Sequence, residues 1–246
     1  PSIIPPVVPN AIITSGHDVS FVDNTQWVGN AYVLKQFHNY KIIDSAQQLD
    51  KDQFKNFAND NDLMIFSFYP TKPVGSIDGG MIVSNDKKKI DRLKILTRYG
   101  MSQSTNSWER KIILPGWKMY MNSVQCYIAQ KNLHRLEEKQ ARFDQIREIY
   151  NDNFRLSSNS RHLYRINVNN NKSFVEKMKE KSIQCGIHYE ALHLNRIYNK
   201  NFVSLPKSEH EHKTTASIPF HEKLTDKEIK YIIKEVKPYV ITQQTK

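Results

Sequence analysis

Residues Asp62–Asp86 read DLMIFSFYPTKPVGSIDGGMIVSND, and the position of one lysine in this stretch decides how the chain is read. Leu63–Phe68 is a short apolar run of strand length, which predicts a buried strand. Tyr69–Gly80 follows, a turn-prone stretch with two prolines and three glycines, and Met81–Val83 predicts a second buried strand. Lys72 therefore stands in a turn near the carboxyl end of the first strand. Burial there would lower its pKa and make its amine nucleophilic toward a carbonyl. A loop lysine taken alone is more simply a solvated surface residue. Its neighbours decide between the two.

Upstream, Ile42–Gln47 reads IIDSAQ, which puts Asp44 just after another apolar strand, Tyr40–Ile43. In an open α/β sheet, an acid and a lysine at the ends of neighbouring strands converge in one crevice. An acid to pair with a pyridinium nitrogen and a lysine to form a Schiff base are the two protein groups that a pyridoxal phosphate site needs. Asp44 in isolation reads as a turn residue.

Further out, Val19–Val22 predicts one more buried strand. Asp86–Leu96 predicts a helix, with Ile90, Leu93 and Leu96 at helical spacing. Residues 101–118 read as a surface excursion ending at Pro115-Gly116. From Asn122 to Phe154 there is no Gly or Pro, and Val124, Ile128, Leu133, Leu136, Phe143, Ile146 and Tyr150 fall roughly at helical spacing. This predicts a long helix, broken or bent once. His162–Val168 reads as a strand. Ser173 with Glu176, and Thr225 with Glu228, are capping-box patterns that open two further helices. No internal repeat is visible.

Composition narrows the function classes. The 246 residues are 39% hydrophobic with only 8 Gly and 10 Pro, which excludes collagen-like and low-complexity scaffolds. No apolar run reaches the ~20 residues of a membrane span, so no membrane partner is expected. Cys126 and Cys185 cannot make a disulfide framework, and a cytoplasmic protein is expected. Cys126, inside the long helix, reads as a small buried hydrophobe. The net charge is +11, which would suit a polyanion or a phosphorylated small molecule. Lys, Asn and Ile are abundant throughout, the longest basic run is only Lys87–Lys89, and no nucleic-acid motif accompanies it, so nucleic acid is not the expected partner. Glu209-His210-Glu211-His212 packs imidazoles and carboxylates closely, but no third ligand is evident and no metal is expected. Trp27, Trp108 and Trp117 read as packing residues or interface anchors. Pro1–Val8 lacks the layout of a signal peptide.

Six segments, in this order, carry a resemblance: IIDSAQ, FSFYPTK, DGGMIVSND, the Gly116–Gln125 run GWKMYMNSVQ, GIHYEALHL around His188, and SIPFHEKLT. Together they resemble the sugar aminotransferases of the DegT/DnrJ/EryC1/StrS group, fold-type I pyridoxal-phosphate enzymes, from about Ile12 onward. The resemblance implies an α/β fold: a mostly parallel sheet with flanking helices, its large domain incomplete, plus a small α/β C-terminal domain. The expected boundaries are 1–121 for the cofactor-binding part, 122–154 for a connecting helix and 155–246 for the small domain. Lys72 would be the Schiff-base lysine and proton shuttle. Asp44 would hold the pyridine nitrogen protonated, Gln47 would lie by the ring and its 3-hydroxyl, and Ser67 would bond the phosphate. His188 and Tyr189 would approach the sugar nucleotide. Gly116–Ser123 would reach the neighbouring subunit's cofactor in a homodimer with shared sites.

The implied reaction is transfer of an amino group, from glutamate, to a keto-deoxysugar on a nucleoside diphosphate. The SFYP and DGG spellings favour a 3-keto over a 4-keto sugar. Dehydratase relatives replace the lysine with histidine, and Lys72 is present. The family carries a Ser-Gly-Thr phosphate segment upstream of the Pro5–Gly16 region and an aromatic that stacks on the ring, expected near Pro5–Val8; neither occurs here. The expectation is thus either a piece of a longer enzyme or a catalytically silent relative serving as a binding or structural partner. The chain alone is expected to bind the cofactor weakly.

Overall fold

The computed structural model describes residues 1–102, 104–198 and 203–242. In chain order its elements are α1 (Val7–Thr14), β1 (Tyr32–Gln36), β2 (Lys41–Asp44), α2 (Gln53–Phe57), β3 (Leu63–Ser67), β4 (Gly80–Val83), α3 (Lys87–Leu96), α4 (Ser123–His134), α5 (Leu136–Phe154), β5 (Tyr164–Asn167), α6 (Asn171–Glu180), α7 (Pro206–Thr214), β6 (Thr215–Ile218) and α8 (Asp226–Val236). The chain divides into two compact units, Ala31–Glu137 and Pro1–Asn30 with Glu138–Lys246.

The Ala31–Glu137 unit is built on a four-stranded sheet in the order β1-β2-β3-β4. Its core is Ile43, Met64, Phe66, Phe68, Val74, Ala129 and Leu136. Alternation in LMIFS turns Met64 and Phe66 inward, as a period-two strand requires. The sheet is mixed, which corrects the expectation of a mostly parallel one. Only β2 and β3 run parallel, whereas β1–β2 and β3–β4 are antiparallel. Both antiparallel pairs are joined by turns and loops without a crossover helix, and a parallel pair needs a crossover. Met81–Val83 lies in a strand, but not a buried one: β4 is an edge strand, and Met81 is 52% and Ile82 39% exposed.

The other unit packs α5, α6 and α8 on the antiparallel pair β5–β6. Ile146, Tyr150, Phe154, Tyr164, Ile166, Phe174, Met178, Ile229, Ile232 and Val236 form its core. Each fully buried side chain of this size contributes roughly 1.5–3 kcal/mol. Thr225 and Glu228 form the expected capping box of α8. The Ser173 pattern does not: α6 starts earlier, capped by Asn170, whose side chain accepts the Ser173 backbone N–H at 2.9 Å. Asparagine caps as well as serine, so the earlier position wins. The long helix breaks at Arg135, between α4 and α5, as its spacing predicted.

Val19–Val22 is not a strand. A strand needs a ladder partner; this segment instead leads to Asp23, whose carboxylate accepts hydrogen bonds from the Lys207 and Ser208 backbone N–H groups (2.9 and 2.7 Å) and the Ser208 hydroxyl (2.7 Å) at the start of α7. Cys126 is exposed rather than buried, because it lies on the outer face of α4. Glu209–His212 is helical, so its side chains diverge: Glu209 faces His193, Glu211 pairs with Arg165, and His212 accepts the Ala191 N–H. No group of three His, Cys, Asp or Glu that could hold a metal occurs among the described residues. No helix among them is long and apolar enough to cross a membrane.

Candidate active site

Asp44 ends β2, and its ladder partner on the parallel β3 is Ile65. Parallel strands send their carboxyl ends to the same edge, so Asp44 and Ser67, the last residue of β3, leave the sheet on one side. The Lys72 loop departs from that edge. The Lys72 N–H donates to the Tyr69 carbonyl at 2.9 Å and closes a tight turn with Pro70 in its second position. The Ser76 N–H donates to the Phe68 carbonyl, and the Phe68 N–H to the Gly79 carbonyl, both at 2.8 Å.

Helix α4 clamps this loop from outside. The Ser76 hydroxyl donates to the Gln125 carbonyl at 2.8 Å, and the Asn132 amide donates to the Gly75 carbonyl at 2.5 Å. The loop folds so closely on itself that a Cβ on Gly75 would stand 2.3 Å from the Pro70 carbonyl oxygen. Lys72 is thus held by a tied backbone.

The acid opposite is equally fixed. Asp44 is 8% exposed. One carboxylate oxygen accepts the Ala46 N–H at 2.9 Å, and the other accepts the Tyr32 hydroxyl at 3.0 Å. Tyr32 is itself buried, and burial, reinforced by the Asp44 charge, raises its pKa, so the phenol stays a donor. The turn behind Asp44 is secured by Ser45, whose N–H donates to the Ile65 carbonyl at 2.8 Å and whose hydroxyl donates to the Gln48 carbonyl at 2.7 Å. Gln47 is buried in that turn.

Burial lowers the pKa of Lys72, and the Asp44 charge works against that shift. Its amine takes no hydrogen bond among the described residues. A half-buried amine with lowered proton affinity is a nucleophile in waiting. Ser67 is half-buried, with its hydroxyl oxygen accepting the Tyr69 N–H at 3.3 Å.

Asp44, Gln47, Ser67 and Lys72 therefore lie in one unit, on segments leaving one sheet edge. His188 and Tyr189 belong to the other unit, where the Tyr189 ring stacks on Trp27 with centroids 6.4 Å apart. Trp108 and Trp117 are 81% and 57% exposed, unlike Trp27 at 5%. Tyr32 is the residue that sequence reasoning missed. The signal available was the YVLKQ–YKIID pair around a short polar turn, a hairpin pattern that would have set Tyr32 opposite Asp44.

The chain is similar to known proteins over most of its length. It is 27% identical over 238 residues to an uncharacterised protein of Methanocaldococcus jannaschii, covering 85% of this chain and 62% of that protein. It is 23% identical over 248 residues to the UDP-4-amino-4,6-dideoxy-N-acetyl-beta-L-altrosamine transaminase of Campylobacter jejuni, covering 90% and 66%. The chain thus spans about six tenths of the length of the curated relatives it matches. Among solved structures, Helicobacter pylori PseC, an aminotransferase involved in the biosynthesis of pseudoaminic acid, superposes with a TM-score of 0.75 at 17% identity, covering 96% of this chain and 77% of that one; this shows a shared fold. The DegT/DnrJ/EryC1/StrS aminotransferase family matches residues 36–237, most of the chain, including the strand edge that carries Asp44 and Lys72, and the chain belongs to that family.

Proposed function

We propose that the protein is a pyridoxal-phosphate-dependent aminotransferase acting on a keto-deoxysugar carried by a nucleoside diphosphate, with glutamate as amino donor. The observation that carries this reading is the half-buried Lys72 amine, its proton affinity lowered, at the same sheet edge as the buried Asp44 carboxylate. The donor set fits the cofactor. An unbonded amine is what covalent capture of an aldehyde requires, and a carboxylate braced by two donors is an acceptor for a protonated ring nitrogen. When bound, pyridoxal phosphate supplies an electron sink for proton removal at the carbon bearing the amino group.

The chain's own groups divide the remaining work. Lys72 would hold the cofactor and would carry a proton at its Nζ. Asp44 would keep the ring nitrogen protonated, and the Tyr32 hydroxyl and the Ala46 N–H hold the Asp44 carboxylate in place. Gln47 would meet the ring hydroxyl and Ser67 the phosphate. His188 and Tyr189 would meet the sugar nucleotide. The C. jejuni relative, named for a UDP-linked amino sugar, supports that substrate class. The SFYP and DGG spellings support a 3-keto position. Exposed Trp117 and Met119, at 57% and 66%, support a homodimer interface along Gly116–Ser123.

Borohydride reduction with pyridoxal phosphate, followed by peptide mass mapping, tests the reading. Pyridoxyl is expected on Lys72. Label confined to other lysines would overturn it.

A further inference from the structure

Arg165 on β5 and Ser217 on β6 are ladder partners. Gly186 lies on the other side of Ser217: its N–H donates to the Ser217 carbonyl at 2.9 Å, and the Ser217 N–H donates back at 2.7 Å. Residues opposite one another on antiparallel strands project to one face. The Arg165 and Ser217 side chains therefore share the face turned away from the core residues Tyr164, Ile166, Ala216 and Ile218. The His188 ring occupies this face too, with its Cε1 2.8 Å from where a Gly186 Cβ would stand, so only glycine leaves room for the imidazole.

The buried polar atoms on that face that make no hydrogen bond include Arg165 Nε and Ser217 Oγ. Ser217 is only 4% exposed. The guanidinium is otherwise engaged. Nη1 donates to the Thr25 carbonyl at 3.4 Å, and Nη2 pairs with Glu211. Buried donors left unbonded are costly and rare, so two side by side point to a missing partner.

The chemistry of that partner follows. Glu211 already balances the Arg165 charge, so the site does not call for an anion. Arg165 Nε only donates, whereas the Ser217 hydroxyl donates or accepts. A hydroxyl oxygen satisfies both, accepting from Nε while exchanging a hydrogen bond with Ser217.

We propose that the Arg165–Ser217 face beside His188 binds a hydroxyl of the sugar moiety of the nucleotide sugar. This rests on the function proposed above and gives Arg165 and Ser217 the reading of the sugar rather than the diphosphate.

Calorimetric titration of the 246-residue chain with UDP-N-acetylglucosamine and, separately, with UDP tests it. The sugar nucleotide is expected to bind more tightly than UDP. Ser217→Ala is expected to weaken the sugar nucleotide about five- to tenfold, one hydrogen bond's worth, and to leave UDP unchanged. Arg165→Lys keeps a charge facing Glu211 while deleting Nε, and the same loss is expected. Thermal melts establish that each variant folds, and should Arg165→Lys not fold, Ser217→Ala decides alone. If Ser217→Ala retains the full difference between the two ligands, the face holds an ordered water only; the inference falls and the proposed function stands. If the unaltered chain binds neither ligand, the substrate class falls and the inference falls with it.

Discussion

Tyr32 and Asp44 are opposite one another across the β1–β2 ladder, and the Tyr32 phenol donates to the Asp44 carboxylate at 3.0 Å with both side chains buried. The hairpin thus sets the orientation of the acid before any ligand arrives. The bond is charge-assisted and shielded from water, which makes it one of the stronger kind.

Tyr32→Phe keeps the ring and removes the donor. One carboxylate oxygen of Asp44 then lies buried without its partner. Unfolding in urea should show a loss of about 1.5–3 kcal/mol at an unchanged m-value. A loss below a few tenths of a kcal/mol would mean that water replaces the phenol.

Lys72 should react with an electrophile at lower pH than an exposed lysine. Its folded pKa is lowered by burial, partly offset by Asp44. Competitive acetylation across a pH series, read by mass spectrometry, should place its midpoint below that of a free lysine side chain in a model peptide. Asp44→Asn removes the opposing charge, so the midpoint should fall further. The linkage has a definite sign. The unfolded amine binds its proton more readily than the folded one, so this group makes stability rise with pH between the folded and unfolded pKa values.

Gly75→Ala should dislodge the lysine loop. The new methyl would meet the Pro70 carbonyl oxygen at 2.3 Å, a contact with backbone that no side-chain rotation relieves. A cost of about 1–3 kcal/mol is expected in thermal or urea unfolding. Acetylation of Lys72 in this variant should approach the behaviour of a surface lysine.

Asp23 ties its segment to the first turn of α7. Burial pushes its carboxyl up, but the Lys207 and Ser208 N–H groups and the Ser208 hydroxyl outweigh this and hold it below the usual range. Its stabilisation is therefore complete above the ordinary carboxylate pKa and is lost as pH falls through the lowered one. Asp23→Ala should cost about 1–2 kcal/mol at neutral pH, and the gap between variant and parent should close in acid. A gap that persists at low pH would assign the effect to packing.

What the sequence determined by itself is local. The strand–turn–strand at Asp62–Asp86, the place of Lys72 after the strand, a single break in the long helix and the Thr225–Glu228 cap each depend on residues a few positions apart. Their hydrophobic period, turn chemistry and capping bonds can be read without a partner. What only the tertiary structure decided depends on residues far apart in the chain. Strand direction in the sheet, the exposure of β4 and the failure of Val19–Val22 to form a strand follow from which segments find ladder partners. Tyr32 reaches Asp44 through a hairpin register, and α4 reaches the lysine loop through Ser76 and Asn132, 49 to 57 residues along the chain. Arg165 meets Ser217 because two strands pair across most of the C-terminal unit. Such contacts form only when the closure entropy of a long loop is repaid by a shared core, and no local pattern records which pairs will do so.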